Sequence, residues 1–174
     1  MKLRPYKSCD APVITGWIRD EDTFRKWGGG RFDSYPLTPA MLDEKYRENN
    51  GDCAESDNFY PWTALSDDAR PVGHFIMRYL GGDPARLRFG WVIVDASERG
   101  KGIGKEMLSL GLEYAFKLLG AESVTLGVFE CNEPAHRCYR SAGFRDTKDR
   151  TGDPWHALEM ELRKEDYFSG KTVR

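Results

Sequence analysis

Residues 92–105 read Val92-Ile93-Val94-Asp95-Ala96-Ser97-Glu98-Arg99-Gly100-Lys101-Gly102-Ile103-Gly104-Lys105. The β-branched residues that open this stretch predict a strand, and the interleaved glycines lead it directly into a helix. Glycine lacks a Cβ atom, so this segment's backbone can approach a ligand closely. The first N–H groups of the helix have no intrahelical partner and favour a phosphate. The stretch therefore predicts a strand–loop–helix unit with an anion site, beside which Arg99, Lys101 and Lys105 add positive charge.

The spacing of these glycines argues against two common nucleotide-binding loops. A Walker A loop would need glycine at 99 and serine or threonine at 106, where the sequence has Arg99 and Glu106. A dinucleotide-binding fingerprint that begins at Gly100 would need glycine at 105, where the sequence has Lys105. ATP and NAD are therefore disfavoured as ligands of this loop. A turn that merely joins a strand to a helix is the alternative, although it would not need three glycines among three cations.

Strands and helices lie on both sides of the loop. Predicted strands cover Tyr60–Leu65, Val72–Leu80, Leu87–Val94, Ser123–Phe129 and Ala157–Leu162. Predicted helices cover Gly104–Leu119 and Pro134–Ala142, and Gly120 and Gly143 end them. Turn residues separate the first three strands, which indicates an antiparallel meander.

The N-terminal third is predicted to be mostly helical. A short strand over Leu3–Pro5 precedes a helix whose apolar face holds Val13, Ile14, Trp17 and Ile18, with Asp10 as its N-cap. Trp27 to Pro39 is predicted as a loop, and a further helix runs from Thr38 to about Asn50. Because the sequence has no internal repeat or linker, residues 1–174 are predicted to form one α/β domain.

Composition limits the classes of protein that the chain can belong to. Its 174 residues suit one domain, which buries roughly 70% of the surface of the unfolded chain. Hydrophobic residues at 40% and charged residues at 31% are ordinary for a globular protein, and a net charge of -2 gives no field that would recruit nucleic acid or an acidic membrane. The N-terminal residues contain no apolar signal segment, so a cytoplasmic location is expected. The four cysteines are then expected to be free thiols; they are Cys9, Cys53, Cys131 and Cys138.

The glycine-rich stretch resembles a known motif. Arg99-x-x-Gly102-x-Gly104, after a strand that ends in Val94-Asp95, resembles motif A of the GNAT superfamily of acyl-CoA-dependent N-acetyltransferases. In that family a later strand leads to an Asn and then to a short helix with a Tyr and a closing Gly-Phe. These residues are Asn132, Tyr139 and Gly143-Phe144 in this sequence.

The resemblance implies a fold and a ligand. The expected fold is an α/β (α+β) domain with a mixed, mainly antiparallel sheet, flanked by helices and splayed open beside a bulged central strand. Acetyl-CoA is the implied acetyl donor, with its pantetheine arm in the gap on the backbone of Ile93 and Val94, and its pyrophosphate on the amides of Arg99–Lys105. Asn132 is implied to hydrogen-bond the arm from the other side. Tyr139 is implied to be the general acid for the leaving thiolate.

The resemblance leaves the general base unassigned. Direct transfer needs a neutral amine, a polarised thioester carbonyl and a proton for the leaving sulfur. A backbone N–H near Val92–Val94 can stabilise the oxyanion, and the Tyr139 hydroxyl can supply the proton. The strand over 87–94 has no carboxylate before Asp95, so we expect Glu130, at the end of the next strand, to act as the base, through water.

Other reactive side chains do not form a recognisable site. Cys131 and Cys138 flank the predicted site, but an acyl-cysteine intermediate is disfavoured because no base is assigned to either thiol. His74, His136 and His156 have no metal-ligand spacing with one another or with the cysteines, so no metal is expected.

The acceptor is expected to be an amine of unknown identity. The segment from Phe24 to Tyr60 combines aromatic residues with carboxylates, which suits a cationic amine, although a solvated acidic surface has the same composition. The N-terminal half resembles the branch of ribosomal-protein N-terminal and aminoglycoside 6'-N-acetyltransferases. The sequence does not distinguish among peptide N-termini, aminoglycosides, polyamines and small metabolites as acceptors. It is equally compatible with a monomer and with a homodimer. The rival functions are a non-catalytic acyl-CoA-binding or sensing module and a phosphate-binding nucleotide enzyme.

Overall fold

Strand β4, which delivers the chain to the glycine-rich loop, is the central strand of a seven-stranded sheet. The computed structural model describes residues 1–28, 30–49, 59–150 and 157–170, with the backbone alone at 148–150. The sheet has the order β1-β2-β3-β4-β5-β7-β6. Its strands are β1 (Lys2–Pro5), β2 (Phe59–Leu65), β3 (Pro71–Leu80), β4 (Asp83–Val94), β5 (Ser123–Phe129), β6 (Arg145–Arg150) and β7 (Ala157–Arg163).

Neighbouring strands of the sheet are antiparallel except for one pair. Strands β4 and β5 run parallel, because the chain crosses over between them through a helix. The prediction of a mixed, mainly antiparallel sheet with flanking helices is therefore confirmed. The predicted strands of the meander and of the C-terminal half are confirmed as well, with differences of one residue at their ends, except that β4 begins at Asp83, four residues before its predicted start.

Six α-helices surround the sheet within the described residues. They are α1 (Ala11–Gly16), α2 (Glu21–Gly28), α3 (Pro39–Asn49), α4 (Ile103–Glu113), α5 (Glu133–Ser141) and α6 (Lys164–Ser169). Helix α4 continues into a π-helical turn over Tyr114–Leu118, which covers the rest of the predicted helix. In the described part of the chain, no helix has both the length and the apolar character needed to cross a membrane.

One prediction in the N-terminal third is wrong, and another is confirmed in position only. Trp27 does not begin a loop; it lies near the end of α2, a helix with a weak sequence pattern because Phe24 and Trp27 are its only large apolar residues. Asp10 stands at the N-cap of α1 but makes no capping bond there. Its buried carboxylate accepts two hydrogen bonds of 2.7 Å from Arg4 and one of 2.8 Å from Thr63. A buried carboxylate needs a paired charge, and Arg4 supplies one.

Strand β6 and helix α6 were also missed. Strand β6 has the sequence RDTKDR, whose charged residues give no apolar alternation. It occupies an edge of the sheet, where the exposed charged side chains of Arg145 and Asp146 discourage further pairing.

Each face of the sheet has its own hydrophobic cluster. One lies under α4, where Met107, Leu108 and Leu112 are fully buried against β3 and β4. Burial of each such side chain stabilises the fold by about 1.5–3 kcal/mol. The other cluster joins α1–α3 to the opposite face, through aromatic side chains that surround Trp91 of β4. The sheet is therefore fixed from both sides along the strand that leads to the loop.

Candidate active site

Strand β4 contains a bulge at the level of Trp91 and Val92. His74 pairs with Ile93 and Ile76 pairs with Gly90, so β4 has one residue more than β3 between these two pairs. Neither Trp91 nor Val92 has a register partner in β3 or β5. Trp91 has a φ of 48°, in the left-handed region that bulky side chains rarely adopt. The extra residue turns the backbone of β4 away from the regular ladder at this point.

The sheet opens on the other side of β4. Its parallel pairing with β5 stops at Arg88 and Thr125, whereas β5 continues to pair with β7 as far as Phe129. From residue 89 onward β4 therefore faces a gap rather than a strand. The splayed sheet beside a bulged strand, predicted from the sequence, is what the structure shows.

An ion pair closes the narrow end of this gap. Arg88 of β4 pairs with Glu159 of β7 and reaches the Thr125 hydroxyl of β5 at 3.3 Å. Gly127 leaves room for the guanidinium group, because a Cβ atom there would lie 2.9 Å from Arg88 Nη2. The pair joins three strands where the pairing between β4 and β5 ends.

A cleft of about 200 Å³ fills the gap. Its described walls come from β4 and its neighbours β2 and β3, from β5, β7 and α5, and from α2, α3 and the segment between them. These residues include Lys26, Trp27, Arg31, Asn49, Arg78, Arg88, Gly90, Trp91, Val92, Gly127, Asn132 and Tyr139. The cleft thus connects the predicted pantetheine side of the sheet with the helical arm formed by α2 and α3.

Helix α4 begins with exposed backbone donors. Its N-cap is Gly102, which has a φ of 84° and no side chain with which to cap the helix. The first N–H groups of α4 are therefore left for an outside acceptor. Arg99, Lys101 and Lys105 are all exposed around them. Backbone donors, the positive end of the helix dipole and three cations suit a diphosphate.

The loop before α4 is held by acidic side chains. Asp95 accepts hydrogen bonds of 2.9 Å from both the backbone N and the hydroxyl of Ser97. Burial raises the pKa of Asp95, but these bonds and the charge of Arg70 outweigh burial, so the pKa lies below its usual value. Arg70 also binds Glu98 at 2.8 Å, and Glu98 binds Lys101 at 3.0 Å. The start of α4 is thus anchored to the turn between β2 and β3.

Gly104 has a packing role in addition to the predicted contact with a ligand. A Cβ atom at this position would lie 3.0 Å from Cys138 Sγ of α5 and 3.6 Å from Val94 Cγ2. Glycine at 104 therefore lets α5 pack on the first turn of α4. By contrast, an added Cβ atom at Gly100 or Gly102 would meet no atom within 4 Å.

Helix α5 places Asn132 and Tyr139 on the wall opposite the bulge. Asn132 is the N-cap, and its carboxamide oxygen accepts a long hydrogen bond of 3.4 Å from Ala135 N. Tyr139 is buried, and burial followed by the neighbouring Cys138 raises the pKa of its hydroxyl well above the ordinary value. A tyrosine in this setting stays protonated at neutral pH and can donate a proton into the cleft.

The other predicted site residues lie around the cleft rather than in its described walls. Ile93 and Val94 follow the lined part of β4 and pair with β3 at His74 and Gly73. Glu130 is exposed where β5 ends and is not one of the described residues lining the cleft. The acceptor segment 24–60 supplies Trp27, Arg31, Asn49 and Phe59 to the walls. Three of the carboxylates in this segment, Asp52, Glu55 and Asp57, lie outside the described residues, as do Cys53 and His156.

Within the described residues, no group of three or more His, Cys, Asp or Glu side chains could hold a metal ion. Cys9, Cys131 and Cys138 are free thiols, as predicted. Burial raises the pKa of the Cys138 thiol, which keeps it protonated and a poor nucleophile. His74 is fully buried, and its Nε2 atom is hydrogen-bonded to the Tyr46 hydroxyl.

The family is decided by comparison with known sequences. A model of the acetyltransferase (GNAT) domain matches residues 1–145, which include the glycine-rich loop, the bulged strand and α5. The chain belongs to the GNAT acetyltransferase family. Because it belongs to this family, the protein is an acyl-CoA-dependent N-acetyltransferase, as its motifs predicted.

Solved structures have the same fold as this GNAT domain. Spermidine N-acetyltransferase from Vibrio cholerae, in complex with CoA and spermine, is similar with a TM-score of 0.76 at 17% identity, over 96% of this chain and 97% of the other. The aminoglycoside acetyltransferase AAC(6')-Ib, in complex with ribostamycin and coenzyme A, has a TM-score of 0.79 at 19% identity, over 98% and 97%. At these identities the similarity establishes the fold of the GNAT domain.

Several residues of this GNAT site could not be identified from the sequence. Trp91 adopts a left-handed conformation in a strand pattern that contains Gly90 as its only local signal. Trp27 lies on a helix that was predicted as a loop. Arg88 and Glu159 are 71 residues apart, and only the pairing of β5 with β7 brings them together. An isolated glycine within a strand often marks a bulge, and Gly90 could have indicated this one.

Proposed function

We propose that this GNAT protein transfers the acetyl group of acetyl-CoA to a primary amine by direct attack in a ternary complex. One observation carries the proposal: a single cleft joins the bulge of β4 and the Tyr139 wall to the helical arm of α2 and α3. The bare start of α4 follows β4 directly along the chain. The donor and the acceptor can therefore enter from opposite sides and meet at the bulge.

Residues of the chain account for the donor side. The backbone of Arg99–Lys105 suits the pyrophosphate of CoA, because α4 offers uncapped N–H groups among exposed cations. The gap between β4 and β5 suits the pantetheine arm, with the backbone of Ile93 and Val94 on one side and Asn132 on the other. The related structures contain CoA together with spermine or ribostamycin, which supports this ligand for the present chain.

The proposed reaction needs three actions from the protein. A backbone N–H of the bulge stabilises the negative charge that develops on the carbonyl oxygen as the amine forms its C–N bond. Tyr139 donates its proton to the thiolate that leaves when the C–S bond breaks, and it regains a proton from solvent. Glu130 takes the proton that the attacking nitrogen loses, through water, because none of the described cleft-lining residues is a carboxylate.

A thiol-release assay tests this proposal. The protein is incubated with acetyl-CoA and a panel of amines, and free CoA is followed over time. Because Lys26, Arg31, Arg78 and Arg88 line the cleft, the panel should include amines that carry a carboxylate or phosphate beside polyamines, aminoglycosides and peptide N-termini. Amine-dependent release of CoA is expected for at least one class.

The outcome separates the enzyme from its rivals. Saturable binding of acetyl-CoA without amine-dependent release by any class would favour an acyl-CoA-binding or sensing module. Thermal stabilisation by ATP rather than by CoA would favour a nucleotide enzyme, since a ligand stabilises the folded protein that binds it. A Glu130→Gln variant with unchanged turnover would remove Glu130 as the base.

A further inference from the structure

The bulge of β4 depends on an unusual residue. Trp91 has a φ of 48°, and the strand has its extra residue at the same place. In bulges of this kind the left-handed position is commonly occupied by glycine, because a Cβ atom makes the conformation strained. Such strain persists only where the surrounding structure imposes it.

Four aromatic rings surround the Trp91 indole. Their centroids lie 5.3 Å away for Phe32, 5.4 Å for Phe59, 5.6 Å for Tyr46 and 5.9 Å for Trp27. These rings come from α2, the segment after it, α3 and β2, so the helical arm holds the indole from several directions. Tyr46 stacks on Trp91 at an interplanar angle of 19° and is itself hydrogen-bonded to His74 of β3.

Trp27 also binds the backbone of the bulge. Its indole Nε1 donates a hydrogen bond of 2.7 Å to the carbonyl oxygen of Trp91, and the bond is buried. The Trp27 ring is fixed in turn by stacking on Phe32 at 5.6 Å and an interplanar angle of 9°. The arm therefore determines the orientation of a peptide group in β4, in addition to packing on a side chain.

The orientation of that peptide group matters for the cleft. The carbonyl of Trp91 and the N–H of Val92 belong to one planar unit, so a bond that fixes the first also fixes the direction of the second. Val92 lines the cleft and has no register partner in β3 or β5. The direction of the Val92 N–H therefore depends on the hydrogen bond from Trp27 to the same peptide group.

We propose that Trp27 and Trp91 are positioning residues for acyl transfer, which orient the backbone N–H of Val92 in the bulge toward the acyl carbonyl. This role rests on the proposed function, because it needs a thioester in the cleft. The proposal makes the acceptor-side helix α2 a structural part of the oxyanion site. Loss of the Trp27 hydrogen bond should then affect the chemical step more than donor binding.

A Trp27→Phe variant tests the proposal, because it keeps an aromatic ring and removes the N–H donor. The expected result is a kcat lower by about tenfold or more with the KM for acetyl-CoA within about twofold, since a small misplacement of a catalytic group is costly. The second readout needs no turnover. Infrared spectra of bound acetyl-carba(dethia)-CoA, labelled with ¹³C at its ketone, should show a lowered carbonyl stretch in the unsubstituted protein and a smaller lowering in Trp27→Phe.

Trp62→Phe is the matched control. Trp62 is buried to 8% exposure, close to the 7% of Trp27, and its Nε1 has no hydrogen-bond partner among the described residues. This control should keep kcat within about twofold and leave the carbonyl stretch unchanged, because no donor is lost. If Trp27→Phe does not fold, replacement of Trp27 by 3-benzothienylalanine removes the same N–H with the shape of the ring retained.

The results distinguish failure of the positioning role from failure of the proposed function. A Trp27 variant with the kcat of Trp62→Phe, or with the carbonyl stretch of the unsubstituted protein, overturns the positioning role alone. Failure of the unsubstituted protein to bind the analogue overturns the proposed function, and the positioning role with it.

Discussion

Cys138 packs against the backbone of Gly104, so that α5 meets the first turn of α4 at a distance where an added methyl group would be tightly crowded. A Cβ atom at Gly104 would come within 3.0 Å of Cys138 Sγ. This close contact therefore fixes the spacing between α4, which is expected to bind the pyrophosphate, and α5, which carries Tyr139. A substitution at either residue should therefore alter how the other helix packs.

A double-mutant cycle at this contact should show strong coupling. Gly104→Ala gains about 1 kcal/mol of helix propensity but loses about 1–3 kcal/mol to crowding against the sulfur. The single substitution should therefore lower the free energy of unfolding. In a Cys138→Ala background the sulfur is absent, and Gly104→Ala should become neutral or stabilising. Urea unfolding of the four proteins measures the coupling, and equal effects of Gly104→Ala in both backgrounds would contradict the contact.

Gly102 should matter for CoA in a way that Gly120 does not. Both glycines have a positive φ, 84° and 70°, and an added Cβ atom meets nothing within 4 Å at either position. Gly102→Ala and Gly120→Ala should each cost about 1–2 kcal/mol of stability through backbone strain. Only Gly102→Ala should also raise the Kd for CoA, roughly tenfold, because it adds a Cβ atom and strain where backbone donors meet the diphosphate. Calorimetric titration with CoA measures this, and equal affinities would place the diphosphate elsewhere.

The order of the main elements could be predicted from the sequence because local patterns carry it. The β-branched run before the loop, the apolar face of α4 and the glycines that end helices are all local signals. The family resemblance implied a bulged strand, but the left-handed conformation of Trp91 could not be predicted, since it is imposed by rings from α2, α3 and β2 that are distant in the sequence. Strand β6 could not be predicted for a related reason: its pairing with β7 outweighs the low strand propensity of its charged sequence.

The candidate site could be predicted in part. The loop at 99–105, Asn132 and Tyr139 follow a motif that is contiguous within each element. The walls of the acceptor side combine α2, α3 and three strands, so no single stretch of sequence describes them. Trp27 illustrates the difference, since its importance comes from one hydrogen bond to a residue 64 positions away.

Tyr139→Phe should slow turnover and leave CoA binding almost unchanged. The Tyr139 hydroxyl lines the cleft and is protonated through the neutral range, so it can serve as an acid, although burial raises its pKa and makes it a weaker acid than an exposed tyrosine. Removal of a general acid typically lowers the rate by about 100-fold or more. The expected result is a kcat reduced by this order, with the Kd for CoA within about twofold, measured by thiol release and by titration.

Tyr167→Phe is the control for this substitution. Tyr167 is on α6, where its ring packs on Phe116, and it is not part of the cleft walls among the described residues. Loss of its hydroxyl should leave kcat unchanged. Turnover of Tyr139→Phe equal to that of Tyr167→Phe would exclude Tyr139 as the proton donor.

His74 should make the fold sensitive to mild acid. Burial lowers the pKa of this histidine to about 3, whereas its ordinary value is 6.5, and the Trp62 backbone and the charge of Asp10 oppose the shift only in part. At a pH between these two pKa values, His74 is protonated in the unfolded chain but not in the folded protein, so stability falls as pH decreases below 6.5. Between pH 7.5 and pH 5 the loss in the free energy of unfolding should be about 2 kcal/mol from His74 alone.

In a His74→Gln variant, overall stability should be lower, because the bond to Tyr46 is disturbed, but this part of the pH dependence should disappear. Urea unfolding at pH 7.5, 6 and 5 compares the two proteins, and parallel pH profiles would show that another group is responsible.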